Sequence, residues 1–176
     1  FGDGSPTFVD RIHFYTRPEV VVGMPQYLIG GEYVMLGNDN RDNPDYRLAV
    51  TVRVPAEVHL LVDNRLGNTG NDNPPQFGAT KMQWVLDESW TAVQTGQNRT
   101  VDSNRPDEVG VDEGADGTID NWFSVYSKSF PAGTIQLKQA DNAGQNMYGV
   151  VVVPTITEPL PGIYINDFAA YEGLSF

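Results

Sequence analysis

The sequence predicts an all-β fold, a two-sheet antiparallel β-sandwich of jelly-roll type with about ten strands and little or no helix. Three observations carry that expectation. In residues 46–65, YRLAVTVRVPAEVHLLVDNR, Leu48, Val50, Val52 and Val54 alternate with Arg47, Ala49, Thr51 and Arg53, and Val58, Leu60 and Val62 alternate with His59, Leu61 and Asp63. A period of two with β-branched residues on one face marks strands with one side on a core and one toward water. Eighteen Gly, twelve Pro and many Asn and Asp place turn formers about every eight to twelve residues, the spacing of a sandwich or barrel. No segment shows a helical period.

Taken in order, residues 1–7 (FGDGSPT) read as a loose entry, 8–16 (FVDRIHFYT) as a first strand and 20–22 as a short second one. Gly30 and Gly31 break the chain before a strand at 32–36, which runs into the polar loop 37–45. Residues 46–65 then read as two strands joined by a tight Pro-Ala turn, a hairpin forming the spine of the sheet. The long loop 66–78 follows, with Gly67, Gly70, Pro74 and Pro75 and few apolar residues. Loops of that length in a compact domain are usually functional. Two short strands are expected at 81–85 and 90–95 around a turn at 86–89, and 96–117 reads as a second long polar stretch. Strand signals return at 121–130; Pro131, Ala132 and Gly133 turn the chain into 134–138; and 146–153 (NMYGVVVV), apolar on both faces, fits a central strand. The sandwich is thus assigned to residues 1–154. Pro159 and Pro161 make 155–162 an extended linker, and 163–176 has strand character at IYINDF. That tail fits an edge strand folded back, the start of a further domain, or a strand paired with another subunit.

Charge and composition narrow the function classes. Eleven Lys and Arg against twenty-three Asp and Glu leave a formal charge of -12. Such a surface repels nucleic acid and anionic membranes and favours calcium and neutral ligands. The chain has no cysteine and hence no disulfide, and its apolar runs are too short for membrane insertion. The start at Phe1, without a leader, reads as a mature or excised chain, in keeping with an extracellular or cell-surface location.

The ordered patterns V-x-L-L-x-D-x-R at 58–65, a following Trp, S-K-x-F-P-A-G-T-x-x-L at 127–137 and M-Y-x-V-V-V at 147–152 resemble β-sandwich domains of galactose-binding-like, carbohydrate-binding-module type. Domains of that kind are found appended to secreted bacterial polysaccharide lyases and glycoside hydrolases. The resemblance covers residues 27–154 and implies a sandwich fold and a non-catalytic glycan-binding role; it transfers no individual binding residue.

Candidate sites come from the residues themselves. Asp112, Asp116, Gly117, Ile119 and Asp120 fall at positions 1, 5, 6, 8 and 9 of a calcium loop of the EF-hand kind, where closely spaced carboxylates supply hard oxygen ligands. Gly114 and Phe123 depart from that pattern, and Asp39 and Asp42 in the oxygen-rich loop 37–45 are the other calcium candidates. Sugar rings stack their C–H faces on aromatic rings while Asn, Asp and Arg bond the hydroxyls. Trp84, Trp90 and Trp122 are the candidate platforms, with Trp90, next to a polar turn, expected to be the most exposed. Asn71, Asn73, Asn98 and Arg65 are the polar candidates, and Arg65 also suits an ion pair. Asn98-Arg99-Thr100 matches an N-glycosylation acceptor in a loop expected to be exposed. His13 and His59 lie outside any nucleophile or metal motif, so no enzyme is expected. The sequence therefore points to an extracellular carbohydrate-binding or adhesion module with structural calcium. A self-assembling surface or filament subunit, linked through its tail strand, is the alternative.

Overall fold

The structure, a computed structural model, describes residues 1–16, 24–114 and 116–155. In chain order the strands are β1 (Phe14–Thr16), β2 (Glu32–Val34), β3 (Leu48–Val52), β4 (Ala56–Asp63), β5 (Thr91–Ala92), β6 (Glu108–Asp112), β7 (Asn121–Phe130), β8 (Gly133–Leu137) and β9 (Gly149–Pro154). One short helix, α1 (Gln83–Asp87), and two 3₁₀ turns, Gln26–Leu28 and Asn38–Asp42, complete the regular structure. The fold is all-β.

Seven strands form one antiparallel sheet in the order β1-β6-β7-β4-β9-β2, with β5 extending the β7 edge beside β6; β3 and β8 make a separate two-stranded ribbon. The register fixes two faces. Ala56, Val58, Leu60 and Val62 lie opposite Phe130, Lys128, Tyr126 and Ser124 on β7, and the first three also meet Pro154, Val152 and Val150 on β9. On this face Val52 of the ribbon shares a cleft lining with Ala56 and Val152, and Trp90, just after α1, packs 5.7 Å from Phe130. The alternate residues His59, Leu61 and Asp63 sit with Phe123, Val125 and Val151 under the N-terminal segment, where Tyr15 meets Phe123 edge-on at 6.2 Å and Tyr27 lies 5.3 Å from His59. Full burial of each Val or Leu contributes about 1.5–3 kcal/mol, which explains why β4, covered on both faces, anchors the core.

Four local expectations change. Residues 46–65 are not a hairpin: β3 pairs with β8, whereas β4 pairs with β7 and β9. Both edges of β4 are occupied, so residues 53–55 carry the chain from one layer to the other. Residues 81–85 turn into α1 after Met82, which adopts a left-handed conformation at φ 49°, and only the inward pair Trp84 and Val85 is buried in α1. A short apolar run does not distinguish strand from helical turn. The first strand shrinks to β1, because Asp10 turns its carboxylate onto the backbone N–H groups of Asn38 (2.7 Å) and Asp39 (3.0 Å). Finally, the polar stretch 96–117 contains β6, buried along its whole length, since Glu108 and Asp112 find internal partners. Nine strands rather than about ten are present among the described residues. The strand expected at 20–22, nearly all of the linker and the 163–176 tail lie outside them.

Two consequences of the packing are measurable. A side chain at Gly149 would run into the Tyr15 hydroxyl and against Leu61, so Gly149→Ala should destabilise by about 1–3 kcal/mol through overpacking, read as a lowered urea midpoint. His59 is 4% exposed and its Nδ1 has no partner among the described residues. Burial holds its pKa below the ordinary 6.5, against a smaller upward pull from Glu57. The unfolded chain therefore takes up the proton first. Stability is full above pH 6.5, falls as pH drops below it, and levels off once the folded imidazole protonates. Urea unfolding between about pH 7.5 and 5.5 should show this slope in the native chain and a flatter one in His59→Gln.

Candidate functional site

The polar residues of this chain concentrate where β4 ends and β6 and β7 meet. Asn64, fully buried just past β4, accepts from Ser124 Oγ (2.6 Å) and donates through Nδ2 to Glu108 Oε1 (2.7 Å) and to the Asn71 carbonyl (3.2 Å). Glu108, 3% exposed, accepts the Arg99 backbone N–H at 3.1 Å on its other oxygen and lies 3.6 Å from the Arg99 guanidinium. A buried carboxylate is tolerated only when paired and hydrogen-bonded, and here the partners come from two loops. Arg99 donates to the Asn71 carbonyl and stands 5.5 Å above the half-buried ring of Trp122, a cation–π arrangement. Arg105 reaches across to the Asp72 carbonyl at 2.6 Å. Asn71 in turn donates to the Asp120 carbonyl (3.0 Å) and to Asn121 Oδ1 (3.3 Å), and accepts the Trp122 N–H (3.3 Å). Loops 66–78 and 96–107, distant in sequence, are clamped into one rim beside Trp122.

Asn98 organises its loop from inside. Its Oδ1 accepts the Thr100 N–H, the Thr100 hydroxyl and the Asp102 N–H, and its Nδ2 donates to the Asp102 and Arg105 carbonyls. Asn98 is 2% exposed. The loop is thus not the open acceptor site that its sequence pattern predicts, because the nitrogen that a glycan would modify is buried and bonded. Next to it, Val101 holds φ at 53° with its side chain 62% exposed. A β-branched residue in the left-handed region is strained.

On the opposite face the same strand ends carry a second network. Arg65 pairs with Asp63 through Nε (3.0 Å) and Nη2 (2.6 Å) and lies 3.5 Å from Glu113, whose Oε1 also accepts from Asn121 and from Asn146 Nδ2 (2.8 Å). Burial by itself would lower the Arg65 pKa; bonding and charge from Asp63 and Glu113 outweigh it and hold the guanidinium above its ordinary value. The ion pair suggested by the sequence is therefore present, though its main partner is two residues away on the same chain segment.

The stacking candidates divide differently from expectation. Trp90 and Trp84 are 5% and 4% exposed and pack edge-on at 6.1 Å inside the core, with Trp84 Nε1 donating to the Gln139 carbonyl. The polar turn 87–89 does not expose Trp90, because its backbone N–H bonds the Val85 carbonyl and the chain tucks inward. Trp122, which opens a strand, is the Trp that reaches the rim. Asn73 is exposed there, its carbonyl accepting from Asn68.

The acidic candidates bond within the chain, three to backbone N–H groups and two to arginines. Asp112 accepts the N–H groups of Asp116 and Gly117, Asp116 accepts from Thr118, and Asp120 accepts the Glu113 N–H. Asp39 pairs with Arg11 and Arg41, and Asp42 lies 3.9 Å from Arg41. These carboxylates do not converge, and among the described residues no group of three or more His, Asp or Glu is placed to hold a metal ion. Asn64, Arg99 and Glu108 were not among the residues the sequence singled out as a site, and Trp122 was named only as one of three candidate platforms. The only signal for the first three was an acidic residue inside an otherwise apolar Glu-Val-Gly-Val run.

The chain matches no family model, no curated protein and no solved structure. The resemblance to carbohydrate-binding modules therefore rests on the sequence patterns alone. The rim itself makes a direct forecast: Asn98→Ala should destabilise by about 1–3 kcal/mol, since it strands several backbone groups. Hydrogen exchange at residues 99–105 should rise more than at β4 or β7.

Proposed function

We propose that this chain is a non-catalytic, extracellular carbohydrate-binding module whose binding surface is the rim formed by loops 66–78 and 96–107 beside Trp122. The observation that carries the proposal is the meeting of these two Asn-rich loops around a half-buried Trp, cross-linked by Arg99 and Arg105. Glycan recognition needs an apolar face for the sugar ring and fixed polar groups for its hydroxyls. Trp122 and the exposed Val101 supply the first; Asp72, Asn73, Thr100 and Asn104, all exposed, supply the second. The ligand is a neutral polysaccharide, because Arg99 already stands beside Glu108 and Asp72, Arg105 is engaged with the Asp72 carbonyl, and the chain carries a charge of -12. The work done at the rim is recognition. Its charged side chains hold the loops in place.

A panel of neutral and acidic polysaccharides, assayed by affinity electrophoresis and calorimetry, tests this. Trp122→Ala should weaken binding at least about tenfold, equivalent to about 1.4 kcal/mol. Asn73→Ala, at an exposed side chain, should weaken it less while leaving the thermal midpoint unchanged. Running the panel in calcium and in excess chelator separates any ion's contribution from that of the rim. Absence of binding across the panel, or full affinity in both variants, would overturn the proposal.

A further inference from the structure

Of the three Trp residues, Trp122 is the one whose ring no aromatic neighbour holds. Trp84 lies edge-on to Trp90 at 6.1 Å and to Tyr148 at 6.0 Å, and Trp90 meets Phe130 at 5.7 Å. Trp122 enters no aromatic pair among the described residues and stands outside the buried apolar cluster. Cross-strand side-chain pairs are what normally brace a residue on a sheet. The partner of Trp122 on β6 is Gly110, which has no side chain to set against the ring, and the space above that glycine is taken by Ile119. The group that the structure places over the ring is the Arg99 guanidinium, 5.5 Å from its centroid.

Arg99 is itself held from several sides. Its backbone N–H donates to Glu108 at 3.1 Å, its guanidinium donates to the Asn71 carbonyl and lies 3.6 Å from Glu108 and 3.9 Å from Asp72, and its side chain is 18% exposed. A planar guanidinium bonds through its edge and stacks through its face at the same time, which a lysine ammonium cannot do. The edge of Arg99 is engaged by loop 66–78 and by β6, so the cation over Trp122 is fixed by groups that belong to the interior network.

We propose that Arg99 is the positioning residue of the glycan site: it covers one face of the Trp122 indole, holds the ring still and leaves the opposite face as the single stacking surface for a sugar. This role rests on the carbohydrate-binding reading and deepens it, because it sets the mode of recognition. A ring covered on one side takes a pyranose by one-sided stacking, lying flat on the surface, and not between two platforms. The sugar is drawn to the ring by its C–H groups against the π face, and a ring already fixed loses little rotamer freedom when the sugar arrives. Arg99 acts through the ring and does not touch the sugar.

Acrylamide quenching of the full chain reads the ring directly, because Trp84 and Trp90 are buried and Trp122 is the accessible emitter. Arg99→Lys keeps a cation beside Glu108 and removes the planar stack. In that variant Trp122 should be quenched more readily, and affinity for whichever of a soluble β-glucan, a xylan and a galactomannan the native chain binds should fall at least about fivefold. The same polysaccharide should shield Trp122 from acrylamide in the native chain, while hydrogen exchange at β4 and β7 stays native in the variant. Glu108→Gln leaves Arg99 in place but removes the carboxylate 3.6 Å from its guanidinium, and should move both readouts in the same direction by less. Native binding that is unchanged in both variants, or binding lost while the quenching of Trp122 stays native, overturns the role of Arg99 alone. A native chain that binds none of the three polysaccharides overturns the carbohydrate reading and this role with it.

Discussion

The structure depends on the double pairing of β4. With β7 on one edge and β9 on the other, and with both faces covered, this strand has no solvent side for its eight residues. Such a strand must be apolar along most of its length or must supply partners for every polar group it carries. Residues 56–62 take the first course, apart from Glu57 and His59. Asp63 and the adjoining Asn64 take the second: Asp63 is paired by Arg65 two residues on, and the partners of Asn64 come from β6, β7 and the loop beyond. The end of β4 thus becomes the place where distant parts of the chain are drawn together.

That requirement accounts for the organisation of the rim. Asn64 is satisfied by Ser124 and Glu108, Glu108 needs a cation, and Arg99 reaches it from a loop that Asn98 has already folded. Each burial step leaves a polar group whose neutralisation recruits the next residue, so loops that carry few apolar anchors are nevertheless held in one geometry. Val101 pays for it in backbone strain at φ 53°. Preorganised loops lose less entropy on meeting a ligand than free ones do, which ties the interior network to the proposed recognition role.

The acidity of the chain has a related physical use. Asp10, Asp107 and Asp112 each accept two backbone N–H groups from neighbouring turns, and the fully buried Asp107 also accepts the Thr95 and Tyr27 hydroxyls. Carboxylates here do the work that capping residues do at helix ends, although the described residues contain a single short α-helix. In the acidic loop 112–120 the side chains of Asp112, Asp116 and Asp120 accept N–H groups of the loop itself.

The sequence by itself determined that the protein is all-β, where most strands lie, and which segments are turns, because alternation, β-branching and Gly, Pro, Asn and Asp chemistry are local properties of the backbone. It also marked 66–78 and 96–117 as long polar stretches. It did not show that β3 and β4 belong to different sheets, that a buried strand lies within 108–112, or that Trp90 turns inward while Trp122 reaches the rim. Those are matters of tertiary structure. Pairing partners are chosen by which edges remain free, and a polar residue becomes buried only when a distant group arrives to bond it, so Glu108 is intelligible only with Asn64 and Arg99 in place. Local patterns carry conformational preference; exposure and partnership are decided by what the rest of the chain packs against them.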